Sequence, residues 1–161
     1  MASSMPLADL LSADRVVLDQ NLASKKSVLE RAAQLLAQGD QAARSRDIFE
    51  ALCQRERLGS TGLGHGVAIP HCRVPQSSVA GAFIRLKRPI DFDSPDATSV
   101  DLFFALAVPS ECSDTHLKLL AAIAELFSDP QQRDELRHVE GYRQLEAVLS
   151  GESKSEQRQD R

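Results

Sequence analysis

Leu58-Gly59-Ser60-Thr61-Gly62-Leu63-Gly64-His65-Gly66-Val67-Ala68-Ile69-Pro70-His71 decides how this chain of 161 residues is read. A glycine-rich, mobile loop runs into a short apolar strand, the strand stops at a proline, and a histidine stands at its mouth. The glycines at 62, 64 and 66 leave few side chains over that imidazole. Such an arrangement suits a histidine that must meet an external reactant, and it points to phosphoryl chemistry.

Nucleotide loops fit the stretch poorly. A P-loop needs a lysine after its last glycine, where this chain has Val67. A dinucleotide fingerprint follows a strand and opens a helix; here the glycines follow a helix and open a strand. The helix N-terminal amides that would hold a pyrophosphate are therefore missing.

Working backward, a helix from the cap candidate Ser45 places Ile48, Phe49, Leu52 and Cys53 inward and ends at Gly59. Before it, Ser24 to Gln38 reads as an amphipathic helix with Ser27 and Glu30 as a capping box. Val28, Leu29, Ala32, Leu35 and Leu36 form its stripe, and Gly39 its stop. Leu7 to Leu11 reads as a helical turn and Arg15 to Leu18 as a brief strand. Working forward, Val67–Ile69, Val79–Leu86 and Val100–Val108 read as strands, the last apolar enough for a central strand covered on both faces. Pro89 to Pro95 reads as a loop. Helices follow over Thr115–Phe127, Pro130–His138 and Tyr142–Leu149. Helices on either side of a strand cluster give an α/β fold, a mixed β-sheet flanked by helices on its faces. Residues 1–150 read as a single domain and 151–161 as a disordered polar tail.

Composition narrows the function. Hydrophobic residues make up 42% and charged residues 26%, with a net charge of −4, so the chain reads as globular and a direct nucleic-acid reader is disfavoured. No apolar run reaches the length of a membrane span, and the N-terminus lacks signal-peptide features. Three cysteines, Cys53, Cys72 and Cys112, argue against a disulfide framework and for a cytoplasmic location.

The segment Arg55-Glu56-Arg57-Leu58 through Ile69-Pro70-His71 closely resembles the active-site signature of the IIA proteins of the bacterial phosphoenolpyruvate-dependent phosphotransferase system. It is nearest the nitrogen-regulatory branch and more distantly similar to the mannitol and fructose domains. The likeness extends to Leu102-Phe103-Phe104-Ala105-Leu106-Ala107-Val108-Pro109 and to Thr115-His116-Leu117, covering about Leu7 to Leu149.

A neutral imidazole is a good nucleophile, and the N–P bond it forms is labile enough to pass the group on. The resemblance implies that His71 takes a phosphoryl group from a phosphohistidine on an HPr-type carrier protein. His116, in the first turn of the helix after Pro109, would be brought to the same sheet edge by a parallel sheet, and the family pattern also places a second histidine there. Arg55 offers a planar guanidinium for bidentate phosphate contact, and the family's matching arginine lies near the active histidine; an ion pair with Glu56 or Glu50 is its plainer reading. Arg57 and Arg73 could steer an anion. Leu63 and Val74 are expected to form a landing surface for the carrier. His65, where nitrogen-branch relatives often carry asparagine, receives no role, and His138 reads as a solvated surface residue.

The resemblance further implies a regulatory output through partners such as potassium transporters or sensor kinases, with no metal or organic cofactor. A sugar-branch carrier passing the group to a permease IIB domain is the alternative within the family. Outside it stand a zinc site from His71, Cys72, Cys112 and His116, and a thiol enzyme using Cys72. Adjacent strand residues point to opposite faces, which counts against both.

Overall fold

The computed structural model describes residues 7–37, 42–75, 78–111 and 113–151. Two 3₁₀ turns (Leu7–Leu10, Ala13–Arg15) precede β1 (Val16–Gln20), α1 (Lys25–Leu36) and α2 (Ala42–Arg57). Then come β2 (Gly62–Gly64), β3 (Val67–Ala68), β4 (His71–Val74), β5 (Ala80–Ile90) and β6 (Val100–Pro109). Helices α3 (Ser113–Ser128), α4 (Pro130–His138) and α5 (Tyr142–Ser150) complete the chain. The N-terminal leader reading, the stop at Gly39, Cys112 and the tail from residue 152 onward lie outside the described residues.

The six strands form one mixed sheet in the order β1-β5-β6-β3-β2, with β4 also paired to β6. Strands β3 and β4 run parallel to β6, β1 runs parallel to β5, and β5 is antiparallel to β6. Strand β6 is covered on both sides, as its apolar run predicts. Phe103, Ala105 and Ala107 pack against Val28, Ala32, Ile48 and Leu52 of α1 and α2. Leu102, Phe104, Leu106 and Val108 pack with Leu119, Ile123, Leu136 and Leu145 of α3, α4 and α5. The period-2 alternation of one strand thus divides the apolar interior into two layers.

Several local expectations shift. The capping box of α1 is formed by Ser24 and Ser27, each accepting the other's backbone N–H at 3.1 Å; Glu30 takes no part. Helix α2 already runs at Ala42, ahead of Ser45. Residues 13–15 form a 3₁₀ turn, so β1 begins at Val16. Pro89 falls inside β5, where a register shift between Arg85 and Ile90 absorbs its missing N–H.

The glycine-rich stretch is not a plain connecting loop. Its residues 62–68 fold into a tight hairpin, β2 against β3. His65 sits at the turn with φ +58°, its N–H held by Asp96 at 2.9 Å and its carbonyl by Arg137 at 2.8 Å. Gly66 has φ +82°, and a Cβ there would lie 2.4 Å from Arg137 Nη2. After Pro70 the chain re-enters the sheet, so His71 opens β4 rather than following the last strand residue of β3.

Candidate functional site

Strand β4 aligns His71 with Leu106 and Arg73 with Val108. Leu106 and Val108 belong to the α3 side of the sheet, and Cys72 and Val74 pack on the α1/α2 side. His71 and Arg73 therefore share the face that meets α3. Main-chain bonds fix the approach to this strand: Ile69 N–H donates to Thr61 O at 3.0 Å, and Leu106 N–H to Pro70 O at 2.9 Å.

Three sequence-nominated residues come together here. His71 Nδ1 lies 2.7 Å from Ile69 O, and a carbonyl only accepts, so Nδ1 carries the proton. Arg55, in the last turn of α2, donates from Nε to His71 Nε2 at 3.2 Å and from Nη1 to Gly59 O at 2.8 Å. Nε2 is thus the nitrogen with the lone pair. His116, in the first turn of α3, meets His71 edge-to-face with ring centroids 5.1 Å apart and an interplanar angle of 65°. The His116 residue is 6% exposed, and its Nδ1 is buried with no hydrogen-bond partner among the described residues.

Electrostatics keep both rings neutral near neutral pH. Burial pulls His71 below the ordinary histidine value, and Arg55 and Arg73 act in the same direction; the Ile69 carbonyl and Glu56 oppose them. For His116 burial, followed by His71, Arg73 and Arg55, brings the value to about 4. His71 is half-buried and opens onto a cavity of about 530 Å³ lined by Gln54, Arg55, Leu58, Arg73 and His116. A second hollow of about 340 Å³ on its other side is lined by Thr61, Leu63, Ile69 and Leu120.

Glu56 is the residue that sequence reasoning missed. Its carboxylate is 5% exposed, pairs with Lys25 Nζ at 2.9 Å, and accepts from the Thr61 N–H at 3.2 Å and from the Thr61 hydroxyl. This knot ties α1, the end of α2 and the entry to β2 together, one residue from Arg55. No local pattern signals it, because Lys25 is remote in sequence. It also removes Glu56 as a partner for Arg55.

Other nominations separate from the site. Val74 is 4% exposed and belongs to the core, so it forms no landing surface; among the described residues the exposed large apolar side chains are Leu58, Leu63 and Leu117. His65 caps the hairpin, and His138 bonds Asp134 O on the surface. The zinc set does not assemble, since Cys72 faces away from His71 into the α1/α2 core. Burial pushes the Cys72 thiol up to about 12, which removes the thiolate a cysteine nucleophile needs. Among the described residues no group of three or more His, Cys, Asp and Glu is placed to hold a metal. No described helix is long and apolar enough to cross a membrane.

A mixed sheet with helices packed on its faces is the fold of the phosphotransferase-system IIA proteins. Residues 9–151 match the family described as phosphoenolpyruvate-dependent sugar phosphotransferase system, EIIA 2, and the chain belongs to that family. Within it, the relatives at 40% identity carry the nitrogen regulatory name. A nitrogen regulatory protein of Bradyrhizobium diazoefficiens is 40% identical over 151 residues, covering 91% of this chain and 95% of its own. The crystal structure of nitrogen regulatory protein IIA-Ntr from Neisseria meningitidis superposes with a TM-score of 0.83 at 40% identity, over 89% of this chain and 98% of that one. IIA mannitol from Escherichia coli shares the fold, with a TM-score of 0.73 at 20% identity over 86% and 98% of the two chains.

Proposed function

We infer that this chain is a phosphohistidine carrier of the nitrogen-regulatory branch, loaded at His71 by an HPr-type protein and acting on partners through its phosphorylation state. One observation carries the reading: the Nε2 lone pair of His71 faces an open cavity between a second imidazole and a guanidinium. Nε2 attacks the phosphorus of the donor's phosphohistidine. The new N–P bond forms as the donor's N–P bond breaks, and the donor's imidazole keeps that electron pair. The proton on His71 Nδ1 stays where it is, held by Ile69 O, so the ring becomes a cationic phosphoimidazolium, from which phosphoryl can leave again.

Little covalent work is left for the surroundings; they position the group and balance its charge. Arg55 swings from Nε2 to the phosphoryl oxygens. His116 supplies a ring N–H from the positive end of α3. An unpaired buried ring nitrogen is a cost, and an incoming oxyanion offsets it. Leu58 on the cavity and Leu63 on the second hollow, with exposed Leu117 next to His116 in the chain, form the face on which the carrier lands. Nearly two negative charges added at that face change what can dock on it, which suits a regulatory output such as control of a potassium transporter or sensor kinase. The sugar-branch reading has the mannitol-type fold in its favour, but at 20% identity that likeness reaches only the fold.

The test is incubation with phosphoenolpyruvate, the first enzyme of the system and its HPr-type carrier, followed by intact mass. One acid-labile phosphoryl group, absent in His71→Ala, is expected. Unmodified wild-type protein, or full labelling of His71→Ala, overturns the reading.

A further inference from the structure

We propose that Arg73 holds the phosphoryl group on His71 and thereby sets the share of phosphoryl groups that this chain keeps at equilibrium with its donor. The inference rests on the reading of His71 as the acceptor.

Arg73 stands two residues beyond His71 on the same face of β4, a Cα spacing of roughly 7 Å that a guanidinium easily spans. It lines the cavity onto which His71 and His116 open. Lys25 is committed to Glu56 and Asp93, and Arg137 to Asp101 and the His65 carbonyl. No carboxylate among the described residues pairs with Arg73, and it is exposed. Arg55 differs, because its Nη1 is occupied by Gly59 O. Arg73 is therefore the cavity cation with its donors unspoken for.

In the empty site this costs little, since the charge is hydrated. In the loaded site a dianionic group sits within its reach, and the attraction exists in that state alone. A contact made only in the phosphorylated state lowers the free energy of that state and shifts the transfer equilibrium toward it. A residue that merely steers the donor or shapes the docking face alters how fast the end point is reached, and leaves the end point itself unmoved.

The experiment mixes the full chain with a fixed ratio of phosphorylated to free HPr-type carrier and reads the phosphorylated fraction at equilibrium by intact mass. For Arg73→Gln the equilibrium constant is expected to fall about three- to tenfold at low salt, with a smaller fall at high salt. Arg73→Lys, which keeps the charge, is expected to recover most of the loss. An Arg73→Gln constant equal to wild type, with only the rate altered, overturns the proposal while His71 remains the acceptor. A wild-type chain that takes up no phosphoryl overturns the acceptor reading and this inference with it.

Discussion

Arg55 donates its Nε–H straight into the Nε2 lone pair of His71, at 3.2 Å, while Ile69 O accepts from the opposite nitrogen at 2.7 Å. The two bonds fix one tautomer and turn the ring so that its nucleophilic nitrogen is marked by a cation. The same contact places a guanidinium where phosphoryl oxygens would arrive.

Arg55→Ala therefore has two expected effects. Phosphoryl uptake slows by about a hundred- to a thousandfold, the usual cost of losing one positioned donor at a reacting group. The charge that helps hold His71 below its ordinary value is also gone, so the ring protonates at higher pH and the acid limb of the uptake rate moves upward. Stopped uptake assays between pH 5 and 8 check both; an unshifted limb and unchanged rate would remove Arg55 from the site.

His116 makes a stability prediction with a defined direction. Its folded value is about 4 against 6.5 for the free group, so between those limits the unfolded chain binds a proton that the folded chain refuses. Stability is full above 6.5 and is lost as pH falls toward 4. His71 is lowered too and acts in the same sense. Urea midpoints measured at pH 7 and pH 5 are expected to fall for wild type and to fall less for His116→Gln, which has no proton to take. Equal slopes for the two proteins would contradict the assignment.

The Glu56 knot gives the largest expected loss. Glu56→Ala strips a buried carboxylate from Lys25 and from the Thr61 N–H and hydroxyl together. Breaking a buried pair from one side typically costs about 3–5 kcal/mol, reduced here to about 2–3 kcal/mol because the Lys25 side chain is 25% exposed and can rehydrate. Urea denaturation measures it. Arg55 adjoins Glu56, so uptake by the folded fraction is expected to fall as well.

How much of this was readable in advance depended on the range of the forces involved. Strand β6 announced itself because a strand buried on both faces must be apolar at every position, and α3 because its apolar residues recur on one side. His71 and His116 could be paired from a parallel-sheet argument alone. The hairpin at 62–68 was not readable: it is held by Asp96, 31 residues from His65, and by Arg137, 72 residues away. The tie of Glu56 to Lys25 was hidden for the same reason. Val74, expected with Leu63 on the rim, lies in the core. Strand alternation turns it, like Cys72, away from the His71 face.

The landing face yields the last prediction. Leu58 is 85% exposed, Leu117 62% and Leu63 41%; Leu58 lines one hollow beside His71, Leu63 lines the other, and Leu117 follows His116 in the chain. Large apolar side chains so exposed contribute little to folding, and a cluster of them around a reactive group marks an interaction surface. Leu58→Asp and Leu63→Asp are thus expected to change stability by no more than about 0.5 kcal/mol. Each introduces a charge that must be desolvated when the carrier docks. Uptake at subsaturating carrier should slow about tenfold or more, because residues at the centre of an interface carry most of its energy. Raising the carrier concentration should recover the rate, since the chemistry at His71 is untouched. An uptake rate indistinguishable from wild type in both variants would place the carrier's landing face elsewhere on the molecule.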